Sequence, residues 1–151
     1  MPEGRPTLST GLSCRDPRAE ILWLEKAFGF ETEFIVEMPD GSIGHSELRL
    51  GDGVIMVGGE YDQNHKSPAN LAGVNTQSIH VNLKEDVDAH CARARAAGAV
   101  ITREPADQFY GDRNYACADP EGHIWSFSQP VKTMTWDEMS AEGGVKVRAR
   151  L

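Results

Sequence analysis

Basic charge is in short supply. Lys and Arg number 15 against 23 Asp and Glu, a formal net charge of −8 over 151 residues. Nucleic acid and anionic membrane surfaces both require a basic face, so neither is expected as a partner. No apolar run reaches the roughly 18 residues of a membrane-spanning helix. The N-terminal Met1-Pro2-Glu3-Gly4-Arg5-Pro6 lacks the apolar stretch of a secretory signal. Cysteine is scarce as well. Cys14, Cys91 and Cys117 are an odd set, far apart and without a CxxC pair. They offer no zinc framework and fit reduced thiols in a cytoplasm. A Ser-His-Asp order, a phosphate loop and a metalloprotease motif are all missing. What remains is a chain long enough to bury a core, as one domain or as two small halves sharing one.

The pattern runs twice. Residues 7–14 alternate as a strand, with Leu8, Leu12 and Cys14 on one face and Ser9, Gly11 and Ser13 on the other. Asp16-Pro17 supplies an N-cap and a first-turn proline. Ile21, Leu24, Ala27 and Phe28 then recur at helical spacing until Gly29 ends the helix. Strands follow at 31–38, 43–50 and 54–57, the first two joined by the turn pair Asp40-Gly41. Residues 59–76 hold Gly, Asn, Pro, Asp and Lys without a period and read as a linker. The order β-α-β-β-β then returns. A strand at 77–83 precedes a helix at 86–97 with Val87, Cys91, Ala94 and Ala97 inward, stopped by Gly98. Strands at 100–105, 114–118 and 123–128 complete it, the last two linked by the turn Asp119-Pro120-Glu121-Gly122. Modules at 7–58 and 77–129 and a tail at 130–151, with a short helix near 136–140, make up the expected organisation. Each half alone is too small to hide both faces of its sheet, so the two should share a cleft.

Three stretches carry a family resemblance. They are Glu25-Lys26-Ala27-Phe28-Gly29-Phe30; Gly44-His45-Ser46-Glu47-Leu48-Arg49-Leu50-Gly51; and Tyr110-Gly111-Asp112-Arg113 through Asp119-Pro120-Glu121-Gly122-His123-Ile124-Trp125. Together with the duplicated element order they resemble the vicinal oxygen chelate superfamily of glyoxalase I, bleomycin-resistance proteins and extradiol dioxygenases, over residues 7–130. The resemblance implies an α+β fold of two tandem βαβββ modules around a U-shaped cleft, and a homodimer. In the enzymes of the group it also implies a divalent metal held by four cleft residues, one on the first and one on the fourth strand of each module. Those positions fall here on Ser9, Met56, His80 and Ser126. Only His80 is a conventional ligand, whereas a catalytic site for a hard or borderline metal usually supplies three imidazole or carboxylate groups. No metal and no cofactor are therefore expected.

Alternation places Ser78, His80 and Asn82 on one strand face, with Ile79, Val81 and Leu83 opposite. The same parity sends Ser126 and Ser128 to the cleft and Trp125 and Phe127 to the core. His80 is either a ligand-contacting group or a hydrogen-bonded residue of a sheet face. His45, beside Glu47 and Arg49, belongs either to the cleft or to a solvated charged face. Arg113 either clamps an anionic group or pairs with Asp112, and Tyr110 lies on a turn that closes toward the cleft mouth. Trp23 reads as core or interface, His65 and Lys66 as solvated, and Trp136 as a cover for the cleft or a dimer seam. Cys91 and Cys117 read as small buried hydrophobes.

The expected function is a metal-free cytoplasmic protein that holds a small organic molecule, an antibiotic or a metabolite. Its contacts are Ser9, His45, Met56, His80, Asn82, Tyr110, Arg113 and Ser126. One alternative is a lyase or dioxygenase recruiting metal through His80, with His45 or Glu47 as extra ligands. The other is a dimeric scaffold with a vestigial cleft.

Overall fold

The computed structural model describes residues 4–84 and 86–151; the first three residues of the N-terminal stretch read above lie outside it. Two four-stranded sheets are built by two runs of the same element order. The first run is β1 (Thr10–Cys14), α1 (Pro17–Phe28), β2 (Glu31–Glu37), β3 (Ile43–Leu50) and β4 (Gly53–Gly59). The second is β5 (Ser78–Asn82), α2 (Val87–Ala96), β6 (Val100–Asp107), β7 (Asp112–Ala118) and β8 (Ile124–Pro130), followed by α3 (Trp136–Gly143). The sheets have matching strand orders, β1-β4-β3-β2 and β5-β8-β7-β6. In each, the first strand pairs parallel with the last, and the other pairings are antiparallel.

Local chemistry explains the boundaries. The Asp16 side chain accepts from the Ala19 amide and Pro17 opens α1, while Gly29 at φ 82° closes it with its N–H on the Glu25 carbonyl. The β2–β3 hairpin turns at Gly41, whose φ of 82° is open to glycine at little cost. Strand β6 runs through Pro105, two residues beyond the sequence reading. Proline cannot donate to a ladder, and it is tolerated here because β6 is an edge strand with an irregular register between Arg103 and Ala106. Strand β1, in contrast, begins only at Thr10, so Thr7, Leu8 and Ser9 precede the paired register.

One core serves both sheets. Leu12, Leu24, Phe28, Leu48 and Val57 from the first run pack in the same cluster as Val87, Cys91, Tyr115, Trp125 and Phe127 from the second. Phe28 lies with its ring centroid 5.0 Å from Trp125 and 4.7 Å from Phe127. Trp23 donates its indole N–H to the Ala97 carbonyl at 2.7 Å, joining α1 to the end of α2. The sheet faces turned toward the helices are thereby filled, and the opposite faces stay open. The three cysteines are free and buried.

The turn between β7 and β8 clasps the start of the first module. Asp119 accepts from the Glu121 and His123 amides and from the Trp125 indole. The His123 ring reaches the Ser13 carbonyl at 3.2 Å. Glu121 accepts from the Arg15 and Asp16 amides, and also bonds the Ser67 hydroxyl. Burial works to raise the Glu121 carboxyl, and these donors outweigh it, so the group sits below the usual carboxylate range. Segment 59–76 is held by the same turn. Its Ser67-Pro68 pair starts a short 3-10 helix, Pro68–Leu71, whose Ala69 amide donates to the Glu121 carbonyl. That helix is absent from the sequence reading, although serine followed by proline is a helix-start signal.

Candidate binding site

Strands β5 and β8 carry a continuous polar ladder on the face turned away from the helices. Their parallel register sets His80 beside Ser126 and Asn82 beside Ser128. The His80 Nδ1 lies 2.7 Å from Ser126 Oγ, and Nε2 lies 3.0 Å from Ser128 Oγ. Ser128 donates its hydroxyl to Asn82 Oδ1 at 3.1 Å. That last bond fixes the direction of the rest. With its proton spent on Asn82, Ser128 accepts from His80 Nε2–H, and Nδ1 then accepts the Ser126 hydroxyl. The imidazole is thus a link in a hydrogen-bonded relay. The free capacity left at the surface is the Asn82 amide N–H pair and the lone pairs of Ser126.

The ladder extends across the sheet to β7. Asn114 stands opposite Ser128 and donates to the Tyr110 hydroxyl at 2.6 Å. Its Oδ1 is buried without a partner. Sequence reasoning missed Asn114, although the parity that selected Ser126 and Ser128 also selects Asn114 once the β7–β8 register is known. Tyr110, on the turn after β6, is brought to the ladder by this bond. The small side chain of Ala116 stands opposite Ser126 and leaves the floor open there.

Ser9 reaches the same region from the first module. It lines a groove of about 520 Å³ together with His80 and Asn82, walled by Phe30, Leu50 and Ile79. Gln77 donates to the Thr10 hydroxyl at its rim. His45 and Met56 do not line this groove. They lie on the open face of the first sheet, where Met56 pairs in register with both Glu47 and Gly11. His45 Nε2 is 3.4 Å from Glu47 Oε1, and Glu47 also binds Arg5.

Arg113 stands apart from the others. Its guanidinium faces α2, donating to Asp88 through Nε at 2.9 Å and Nη2 at 3.0 Å, and to Asp107 through Nη1 at 3.0 Å. The pairing with Asp112, one of the two readings the sequence left open, is not formed, because consecutive strand residues point to opposite faces. The Asp88 and Asp107 carboxylates hold Arg113 firmly protonated, above the ordinary arginine range. The tail packs on the β6–β7 turn: Gly143 of α3 lies against the Phe109 ring, and Gly111 against the Lys132 carbonyl. Trp136, at the start of α3, is exposed. His65 is exposed too, stacked on Tyr61 and bonded to Asp62.

The positions that would hold a metal in the enzymes do not fit one here. Ser9, Met56 and Ser126 supply two neutral hydroxyls and a thioether, and the His80 lone pair is engaged by Ser126. Among the described residues, the one trio of His, Cys, Asp or Glu with converging atoms is Glu20, Asp119 and His123, inside the clasp rather than on the open face.

Comparison with known proteins agrees with this architecture. The model of the Glyoxalase/Bleomycin resistance protein/Dioxygenase superfamily matches residues 8–127. Mb0911c, an uncharacterized protein of Mycobacterium bovis, is 36% identical over 140 residues, covering 90% of this chain and 91% of its own. The uncharacterized Rv0887c of Mycobacterium tuberculosis is likewise 36% identical, over 90% of this chain and 81% of its own. The crystal structure of TioX from Micromonospora sp. ML1 superposes with a TM-score of 0.68 at 32% identity, over 83% of this chain and 99% of that one. TnmS3, an antibiotic binding protein from Streptomyces sp. CB03234, has a TM-score of 0.64 at 16% identity, over 86% and 97% of the two chains, and shares the fold.

Proposed function

Because this chain belongs to the Glyoxalase/Bleomycin resistance protein/Dioxygenase superfamily, we propose that it is a branch of that family which binds a small organic molecule without a metal and without turnover. The observation that carries the reading is the His80 ladder. Both imidazole nitrogens are committed to serine hydroxyls, and the relay ends on Asn82 with an outward amide. Such a surface orients a ligand by hydrogen bonds, while the apolar walls of the adjoining groove supply contact area. It lacks the converging acid and base that proton abstraction beside a carbonyl requires. The antibiotic-binding role of TnmS3 shows what this fold can accommodate.

Ser9, His80 and Asn82 are the proposed contacts in the groove, Ser126 and Tyr110 those of the adjoining ladder, and His45 and Met56 those of the first sheet. Arg113 is left out of the set, since Asp88 and Asp107 occupy it. A homodimer working in the cytoplasm belongs to the same proposal. Ile35 and Val36 of edge strand β2 and Val100 of edge strand β6 are exposed apolar positions that a second copy would cover. The free, buried cysteines fit a reducing compartment.

The test is a calorimetric screen of aromatic antibiotics and heteroaromatic metabolites. A compound that binds the native protein should lose about tenfold or more in affinity with His80→Ala, because the Ser126 and Asn82 groups that meet it are no longer held in place by the relay. Binders unaffected by both His80→Ala and Asn82→Ala would overturn the assignment of this face.

A further inference from the structure

The open face of the first sheet holds a carboxylate in an unfinished environment. Glu47 is only 4% exposed, yet its Oε2 is buried without a hydrogen-bond partner. A buried carboxylate oxygen without a hydrogen-bond partner costs free energy, and a sheet face that only needed to be solvated would not carry one. Its other oxygen, Oε1, is met by one guanidinium nitrogen of Arg5 at 2.5 Å and lies 3.4 Å from His45 Nε2. Arginine binds carboxylate best through two parallel N–H bonds, and here only one is made.

Arg5 belongs to an arm with little else to hold it. Residues 4–9 precede the paired register of β1, and Leu8 is largely exposed. Among the described residues, the Arg5–Glu47 bond is the one hydrogen bond made by residues 4–9. The surroundings of the carboxylate suit a flat group. Phe34 stands opposite Glu47 in the β2–β3 register, and its ring centroid lies 5.8 Å from that of His45. Met56 flanks the other side, and beyond it Gly11 leaves the sheet surface clear, with nothing within 4 Å of where a side chain would begin. Rings, a polarizable thioether and a carboxylate with a vacant oxygen form the chemistry that receives a planar cation.

We propose that Glu47 is the anchor for a flat, N–H-bearing cation of the ligand, an amidine, guanidine or aromatic amine, and that Arg5 is a tethered stand-in which such a group displaces. The inference deepens the small-molecule-binding reading and rests on it. Displacing Arg5 exchanges a one-point contact for a two-point one, and the arm swings away from the open face as the ligand enters. The arm thereby discriminates: a neutral ligand of the same shape cannot replace the guanidinium charge and meets a closed site.

Benzamidine and its neutral counterpart benzamide, titrated calorimetrically, test this. Arg5→Ala should bind benzamidine about fivefold or more tighter than the native chain, because an internal competitor is removed. Benzamide should bind no better in either protein. Adding Glu47→Gln to Arg5→Ala should weaken benzamidine by about tenfold or more. Should the double variant fold poorly, the contrast of benzamidine with benzamide in Arg5→Ala alone decides the matter. Equal binding of the two probes, or no gain on removing Arg5, overturns the proposal. So does an absence of benzamidine binding in both proteins. A screen that finds His80-dependent ligands while benzamidine fails sinks this inference and leaves the reading of the ladder standing.

Discussion

Phe28→Ala should destabilise the protein by about 3–5 kcal/mol, the cost of emptying a fully packed aromatic site. Phe28 is 1% exposed and contacts the rings of Trp23, His90, Trp125 and Phe127, which belong to both modules. The void would open where α1 meets the second sheet, and neither module could collapse into it without moving the other. At this chain length the melting temperature should fall by about 10 °C. Leu22, on the same helix, is 63% exposed. Its replacement by alanine should change stability by less than about 0.5 kcal/mol. Chemical denaturation of the two variants checks both. Similar midpoints would show that the modules do not share a core.

Replacing Glu20 with glutamine should change how stability responds to alkali. Glu20 is 2% exposed, and its Oε1 has no partner when the group is treated as a carboxylate. Burial, then the charge of Asp119 and a hydrogen bond to it, then the charge of Glu121, raise its pKa far above the ordinary 4.5. Glu20 is consequently protonated in the folded protein at neutral pH, and its O–H is the donor to Asp119. Asp119, Glu121, His123 and the Cys14 thiol face it from the clasp and β1.

The unfolded chain releases the Glu20 proton above about pH 4.5, while the folded chain keeps it. The stability it contributes is complete below that pH and is lost as pH rises toward the raised value, by up to about 1.4 kcal/mol per pH unit. Glutamine donates a similar hydrogen bond and does not titrate. The variant should match the native protein near pH 5 and exceed it by a margin that widens steadily toward pH 9. Urea midpoints across this range provide the check, and parallel curves for the two proteins would remove the proton from Glu20.

Much of this architecture was readable in the sequence because local signals and periodicity agreed. Asp16-Pro17 and Gly29 mark the ends of α1 by capping chemistry alone, and the alternation through residues 78–83 and 124–128 sorts core from open face without knowledge of the register. What was hidden depends on pairings distant in the chain. Arg113 looked available for an anion because its partners, Asp88 and Asp107, lie on elements that only the fold brings near. The clasp was invisible for the same reason: Asp119-Pro120-Glu121-Gly122 reads as a turn, and nothing local shows that Glu121 caps the amides of Arg15 and Asp16. Glu47 read as one charge among several on a strand, since its burial under the Arg5 arm spans 42 positions of sequence. Ser9, His80 and Ser126 were selected through family resemblance. The geometry adds the relay through Ser128 to Asn82, a property of the β5–β8 register rather than of any motif.

Metal titration tests the central claim most directly. Protein stripped with a chelator would be melted with zinc, nickel, manganese or iron(II) added at about 1 mM. A hydroxyl and thioether site of millimolar affinity would gain only about 0.4 kcal/mol under these conditions. That corresponds to about 1–2 °C, and His80→Ala should leave it unchanged. A micromolar site with three or four good ligands would gain about 4 kcal/mol, or roughly 10 °C. A gain of that size, abolished by His80→Ala, would contradict the binding-protein reading and establish a metal centre on the open face.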